Sequence, residues 1–300
     1  RMNEEIPLFQ EPTDFGEDEF SSALVLVTNA CNLRCKHCFV YREETPNESR
    51  DKMTDECMLY QLRRLRDKHR IRSMLFMGGE PLIKSKLVFE AMELFEQSSI
   101  VTNGTYGIPS VPGHLVTVSL DGPKALNDQI RGEGVFDKVR QSIFAHHLKD
   151  DTTVMLQMTV TKKNAEFIEA FVEQVECWPI SGIAFTFYVP DQDDHGENAW
   201  NDLVERDDVI RKLIELKKIH PMIKSNIGAL QLMLSEYSLS ATGLHGENCR
   251  LKKMLPLYVG KGGQFERTFC CYGNNVDCSR CGAYGVFNSV YNQQRRNSRA

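Results

Sequence analysis

Short apolar runs of strand length recur along this chain, and several are followed at once by apolar residues at helical spacing. The runs fall at 23–28, 73–76, 99–102, 115–119, 153–160 and 182–188. Thr54 is placed to cap the first helical pattern, with Met58, Leu59, Leu62 and Leu65 on its apolar face. Further helical patterns cover 84–96, 136–148 and 164–175, the last with Asn164 as its expected N-cap. Strands that alternate with helices imply a parallel sheet in an α/β fold. Six such units suit a partial (β/α)6, TIM-like barrel better than a closed eight-unit one. Beyond a polar stretch at 191–202, helical patterns run over 207–219 and 227–237. Residues 255–259 and 265–269 then bracket a glycine-rich turn as a β-hairpin. The expected organisation is an acidic arm (1–20), the barrel with its following helices (21–238), a small cysteine-rich hairpin module (239–290) and a polar tail (291–300).

Eight of the ten cysteines form two groups: Cys31, Cys35 and Cys38, then Cys249, Cys270, Cys271, Cys278 and Cys281. Cys57 and Cys177 stand apart and are expected to be core thiols. Grouped thiols in a chain of this size point to metal in a reducing compartment rather than to a disulfide scaffold. The acidic opening is unlike a signal peptide, and the apolar runs are too short to span a bilayer, so a cytoplasmic protein is expected. A net charge of −5 gives no broad footprint for a polyanion, and nucleic acid is not an expected partner.

Cys31-x3-Cys35-x2-Cys38 follows directly on the first strand pattern. Three thiolates at this spacing can hold three corners of a 4Fe-4S cluster and leave the fourth iron open to an exogenous ligand. Zinc more often takes paired cysteines or a Cys/His set in a closed tetrahedron, and His37 stands too close between the cysteines to be a comfortable fourth donor.

The stretch TNACNLRCKHCF, with MGGEPL at 77–82, VTNG at 101–104, SLDG at 119–122 and IRG at 130–132, resembles the radical S-adenosylmethionine superfamily over residues 22–190. The resemblance implies a partial barrel in which Cys31, Cys35 and Cys38 hold the cluster and its open iron binds S-adenosylmethionine. Reductive cleavage of that cofactor would give methionine and a 5′-deoxyadenosyl radical that abstracts hydrogen from a peptide or small-molecule substrate. A flavodoxin or ferredoxin would be the electron donor. Carried onto this chain, Gly78, Gly79 and Glu80 would receive the methionine amino group, Ser119 the cofactor's polar part and Arg131 its carboxylate. Phe39 would contact adenine, Thr102 and Asn103 would face the same mouth, and Gln157 could add a polar contact.

The second cysteine group resembles the SPASM/twitch type of extension, which holds auxiliary iron-sulfur clusters. Here it has too few cysteines for two complete clusters, so one auxiliary cluster is expected, with Cys270 and Cys271 as alternative ligands. The order of a late cysteine, YGNN and CxxCG is also similar to the tail of adenosyl-hopene transferase-like enzymes, which add the adenosyl radical to an alkene. A zinc knuckle that only staples structure, or a non-catalytic metal-binding chain, are the plainer alternatives. No phosphate-binding Gly-x4-Gly-Lys loop, Gly-x-Ser-x-Gly elbow or His-Glu-x2-His helix is present. His146 and His147 fit a helix surface or a helix contact, and His195 stands in the acidic loop.

Overall fold

A computed structural model of the chain describes residues 13–42, 52–146 and 151–298. In chain order it contains β1 (Ser22–Leu26), α1 (Asp55–His69), β2 (Ser73–Met77), α2 (Ser85–Met92) and β3 (Gln97–Thr102). Then come β4 (Leu115–Ser119), α3 (Lys124–Arg131), α4 (Val135–His146), β5 (Thr153–Val160), α5 (Ile168–Val175) and β6 (Gly182–Phe187). Last are α6 (Leu203–Ile219), α7 (Ile227–Leu232), α8 (Ser235–Thr242), β7 (Met254–Val259), β8 (Phe265–Arg267) and α9 (Tyr284–Asn297). The alternation of parallel strands and helices makes this an α/β fold, with the six expected strands in place.

Two compact units divide the chain: Arg1–Asn32, Val40–Ile100 and Lys253–Cys271 in one, Leu33–Phe39, Val101–Lys252 and Tyr272–Ala300 in the other. In the first, β1 pairs in parallel with β2 on one side and β7 on the other, and β2 pairs in parallel with the start of β3. Thr54 accepts from the Cys57 amide to start α1, which buries Met58, Leu62 and Leu65. Its C-terminal turn takes ion pairs from the acidic segment before β1: Lys68 meets Asp14, and Arg70 meets Glu19.

In the second unit, β4, β5 and β6 are parallel neighbours. Val116, Val118, Leu156, Met158 and Val160 are buried, whereas Ser119, Met155, Gln157 and Thr159 are half-exposed on the alternate positions.

Several expectations are corrected. The helix expected over 84–96 begins as a 3-10 turn, Pro81–Lys84, because Pro81 opens it and Glu80 caps the Leu82 amide at 3.0 Å; α2 then ends at Met92. The pattern at 227–237 breaks into α7 and α8. The Asp207 carboxylate accepts from the Ser235 amide (3.0 Å) and hydroxyl (2.6 Å), and so starts a new helix there. α6 starts at Leu203, capped by Asp202 on the Val204 amide at 2.8 Å.

The expected hairpin forms between β7 and β8, but β7 extends the sheet edge at β1, so residues 253–271 group with the first unit instead of forming a module with the residues that follow. The tail expected from 291 is α9 as far as Asn297, anchored by buried Val286 and Phe287. Cys57 is buried as expected. Cys177 is exposed, because the chain turns beyond α5 to bury Trp178 instead. Residues 1–12 of the expected arm and His147 lie outside the described residues. Among those described, no helix is long and apolar enough to cross a membrane.

Candidate active site

The stem of the first cysteine loop is built in the first unit. Beyond β1 and β2 the two chains stay paired: the Val27 amide donates to Met77 O (2.9 Å), the Gly79 amide to Thr28 O (2.8 Å) and the Glu80 amide to Ala30 O (2.9 Å). A Cβ at position 79 would stand 2.3 Å from Ala30 O, and one at 78 would stand 2.4 Å from Thr28 O. Both glycines are therefore required by the approach of protein backbone, a reason independent of any ligand. Glu80 is fully buried and caps its own turn. Tyr41 donates to Asn29 O at 2.9 Å, tying the far side of the loop to the same stem that Cys31 leaves.

Cys35 and Cys38 belong to the second unit. The Cys38 amide donates to Cys35 O (3.1 Å) in a tight turn, and the Lys36 amide donates to Ile130 O (3.0 Å) near the end of α3. Arg131 follows, and its Nη1 donates to Cys35 Sγ at 3.8 Å. Its Nε lies 2.7 Å from Asp121 Oδ2 as an ion pair, with the N–H directed off the oxygen. His37, between the two cysteines, donates through Nε2 to the same Oδ2 at 2.6 Å. Asp121 is wholly buried. Its Oδ1 accepts from the Thr159 amide (3.0 Å), its own amide donates to Asn127 Oδ1 (3.0 Å), and its carbonyl accepts from Asn164 Nδ2 (3.1 Å). Every polar atom of Asp121 thus has a partner.

Burial pushes the Asp121 carboxyl upward, but the Arg131 guanidinium and His37 outweigh it and hold the group at about 2. Burial opposes the charge on Arg131 too, yet Asp121 and the Cys35 thiol raise its pKa. The ion pair is therefore permanent at neutral pH, and it places a cation beside the Cys35 thiol.

Asp121 and His37 were missed as site residues, although a carboxylate directly after a strand end, in SLDG, was the available signal. Asn164, expected as a cap, makes no capping bond. It ties Asp121 O, Thr159 O (2.9 Å) and the Thr161 amide (2.7 Å) together.

Ser119, the last residue of β4, stands opposite Gln157, within β5, and both are half-exposed. Thr102 and Asn103 are buried and shape the turn after β3, accepting from the Gly104 amide (3.1 Å) and from the amide (2.9 Å) and hydroxyl (2.7 Å) of Thr105. Phe39 packs edge-on against Tyr272 at 5.1 Å between ring centroids.

All ten cysteines are free of disulfides. Cys278 and Cys281 flank a 3-10 turn that Asp277 caps through the Ser279 amide (2.9 Å) and hydroxyl (2.5 Å). Arg280, between them, pairs with Asp277 Oδ2 (2.6 Å) and donates to Asp194 O (2.8 Å), Asn201 Oδ1 (3.1 Å) and Asp191 O (3.2 Å). Gly282 docks on the end of β6: the Phe187 amide donates to its carbonyl at 2.8 Å, and a Cβ on it would meet Phe187 O at 2.6 Å. The knuckle therefore stands at the strand-end side on which Asp121 closes β4. Cys249 lies in the same unit after a turn closed by its amide on Gly246 O (3.0 Å), whereas Cys270 and Cys271 fall in the first unit, after β8. His195 is held on its loop by Asn201, 3.2 Å away.

Soft thiols outside any disulfide at Cys31, Cys35 and Cys38, with a buried guanidinium against Cys35, are of a chemistry that suits an anionic thiolate-ligated iron-sulfur cluster.

The Fe-coproporphyrin III synthase of Methanosarcina barkeri is 29% identical over 189 residues, 57% of this chain and 45% of that protein. The mycofactocin maturase MftC of Mycolicibacterium smegmatis is 27% identical over 179 residues, 55% of this chain and 44% of that protein. The chain thus spans less than half the length of these curated relatives. Among solved structures, anSMEcpe with bound AdoMet superposes with a TM-score of 0.60 at 19% identity, covering 91% of this chain and 82% of that one. Streptococcus suis SuiB bound to precursor peptide SuiA gives 0.60 at 15% identity, covering 90% and 65%. These likenesses show the shared partial-barrel fold. The family model described as the Radical SAM superfamily matches residues 25–175. With the loop, its stem and its buried ion pair in place, the chain belongs to the radical SAM superfamily.

Proposed function

We propose that the chain cleaves S-adenosylmethionine reductively at a 4Fe-4S cluster on Cys31, Cys35 and Cys38, and uses the product radical to abstract hydrogen from a peptide substrate. The observation that carries this reading is the seating of Cys35 and Cys38 on a tight turn whose two anchors, His37 and Arg131, share the Asp121 carboxylate. When bound, the cluster and cofactor supply the one-electron chemistry that yields methionine and a 5′-deoxyadenosyl radical.

The chain's own residues do the rest. Arg131 offsets thiolate charge at Cys35, Asp121 holds Arg131 and His37 in place, and the paired glycines fix the stem. Ser119 and Gln157, opposite each other and accessible, are the side chains offered to cofactor and substrate. Cys249, Cys278 and Cys281, with Cys270 or Cys271, hold one auxiliary iron-sulfur cluster in the manner of a SPASM/twitch extension. A flavodoxin or ferredoxin supplies the electron. The peptide class is favoured by the maturase relative and by the SuiB complex with its precursor peptide.

The test is the yield of 5′-deoxyadenosine from anaerobically reconstituted protein given S-adenosylmethionine and dithionite, against Cys35→Ala. Cysteine-dependent product is expected. Stoichiometric zinc with no product overturns the reading, and adenosyl found covalently on the substrate replaces abstraction with addition to an alkene.

A further inference from the structure

The net charge of this chain is −5, yet residues 248–252 and 278–298 carry Arg250, Lys252, Arg280, Arg295 and Arg296 and no acidic side chain. Arg280 is held inside the fold by Asp277, whereas the other four reach the surface. The two segments share one face of the second unit: Arg250 donates through Nε to Ser289 Oγ (3.2 Å) and through Nη1 to Gln293 Oε1, both on α9. Both acceptors are neutral. Arg295 lies over the Tyr291 ring at 5.8 Å, and among the described residues no carboxylate meets Arg250, Arg295 or Arg296. Elsewhere in the unit surface lysines find carboxylates, as Lys124 does in Asp137, Lys162 in Glu205 and Lys212 in Glu169.

The negative end of α9 offsets part of the charge on Arg295 and Arg296. It does not account for Arg250, which comes from a 3-10 turn at Arg250–Lys253 and lies against the side of the helix. The carboxylates nearest in sequence are already engaged. Glu247 turns its oxygens to the amides of Leu244 (3.1 Å) and His245 (2.8 Å), and Asp277 serves Ser279 and Arg280. An acidic protein thus keeps a local surface that attracts anions.

The chemistry of the face favours a polypeptide over a nucleic acid. Tyr291 is covered by Arg295, and a Cβ on Gly228 would stand 2.2 Å from its ring, so the ring is not offered for base stacking. The remainder of the chain is more negative than the whole and repels a long polyanion, whereas a short acidic segment keeps its charge on the patch. Guanidinium groups match carboxylates in pairs of hydrogen bonds, and the exposed amides of Asn292 and Gln294 suit peptide groups.

We infer that Arg250, Arg295 and Arg296 dock an acidic segment of the peptide substrate, apart from the residue that reacts. α9 starts against β6, where the Tyr284 amide donates to Thr186 Oγ1 at 3.3 Å. At the helical rise, Arg295 lies about 17 Å from Tyr284, a span that extended chain covers in about five residues. Barrel chemistry is done at the strand ends, so the acidic segment stands about five or more residues from the modified one. That the docked chain is substrate rests on the proposed peptide reading; the docking face rests on its charge alone.

The test measures fluorescence anisotropy of a labelled twelve-residue peptide of alternating Glu and Ser, and of its Gln isostere, against the full chain at low and physiological salt. Arg250→Gln/Arg295→Gln/Arg296→Gln should weaken binding of the acidic peptide about tenfold, the usual effect of losing three exposed ion pairs. Arg211→Gln/Lys212→Gln/Lys218→Gln, which removes the same charge from α6, should change it less than twofold. Binding should weaken with salt, and the isostere should not bind. Should the triple variant not fold, Arg295→Gln/Arg296→Gln, which alters two exposed side chains only, decides in its place.

Equal weakening by both sets of substitutions, equal binding of the isostere, or no binding at low salt overturns the inference. So does tighter binding of a single-stranded oligonucleotide of the same charge. The yield of 5′-deoxyadenosine without substrate should be unchanged in the triple variant. If docking fails while that yield holds, the inference falls alone; if docking holds in a chain that gives no 5′-deoxyadenosine, the radical reading falls and the face stands.

Discussion

The Asp121 carboxylate accepts a hydrogen bond from His37 Nε2 at 2.6 Å, joining the residue that closes β4 to the residue standing between Cys35 and Cys38. Because Arg131 meets the same oxygen at 2.7 Å and also reaches Cys35, one buried carboxylate governs both supports of the loop.

Asp121→Asn keeps the shape and removes the charge, leaving Arg131 buried without its partner. Urea denaturation should show a loss of about 3 kcal/mol, the usual cost of breaking one side of a buried pair. Iron and sulfide per chain should fall together with 5′-deoxyadenosine yield.

Acid should act through the same group. The Asp121 carboxyl stands at about 2 in the folded chain against an ordinary 3.8, so its contribution is complete above 3.8 and is lost as pH falls through 2. The shift corresponds to roughly 2 kcal/mol. Acid unfolding of the metal-free chain, followed by the fluorescence of Trp178 and Trp200, should show this component in wild type and not in Asp121→Asn.

Gly79→Ala places a methyl group against Ala30 O, where there is room for none. The stem must part, and cluster content and S-adenosylmethionine binding should drop at least tenfold on the scale of a misplaced ligand shell. Gly285→Ala, in the first turn of α9 with nothing within 4 Å, is the control and should be neutral or slightly stabilising.

Arg280→Ala frees the Asp191–Asn201 loop from the knuckle. Limited proteolysis should then cut within that loop at concentrations of protease that leave wild type intact, and Tm should fall by several degrees.

What the residues alone disclose is local. Thr54 before an amphipathic stretch gives α1, and alternating apolar runs give β4, β5 and the β7–β8 hairpin, because each signal is contained within a few neighbours. The spacing of Cys31, Cys35 and Cys38 is legible for the same reason. Asp121 is not, since its partners His37, Arg131 and Thr159 come from three separate segments. Gly78 and Gly79 are visible as a motif, but their contacts, Thr28 and Ala30, lie far back in the chain. Arg206 reads as one more charged position on a helix; only the packing of Cys281 and Met233 around it removes it from water. Asn164 looks like a cap by type and place, and tertiary partners claim its side chain instead.

The parallel seating of β7 beside β1, with Ser22 opposite Met254 and Leu26 opposite Tyr258, bears on how the protein is made. During synthesis the strand that leads into Cys31 keeps one edge open until residues 254–259 have left the ribosome. A nascent chain with an exposed edge and three reactive thiols invites misassembly and oxidation. On the proposed function, delivery of iron and sulfide to the first cysteine group is best timed after β7 has paired with β1, and chains truncated before β7 should be poor acceptors of a cluster even though Cys31, Cys35 and Cys38 are already present.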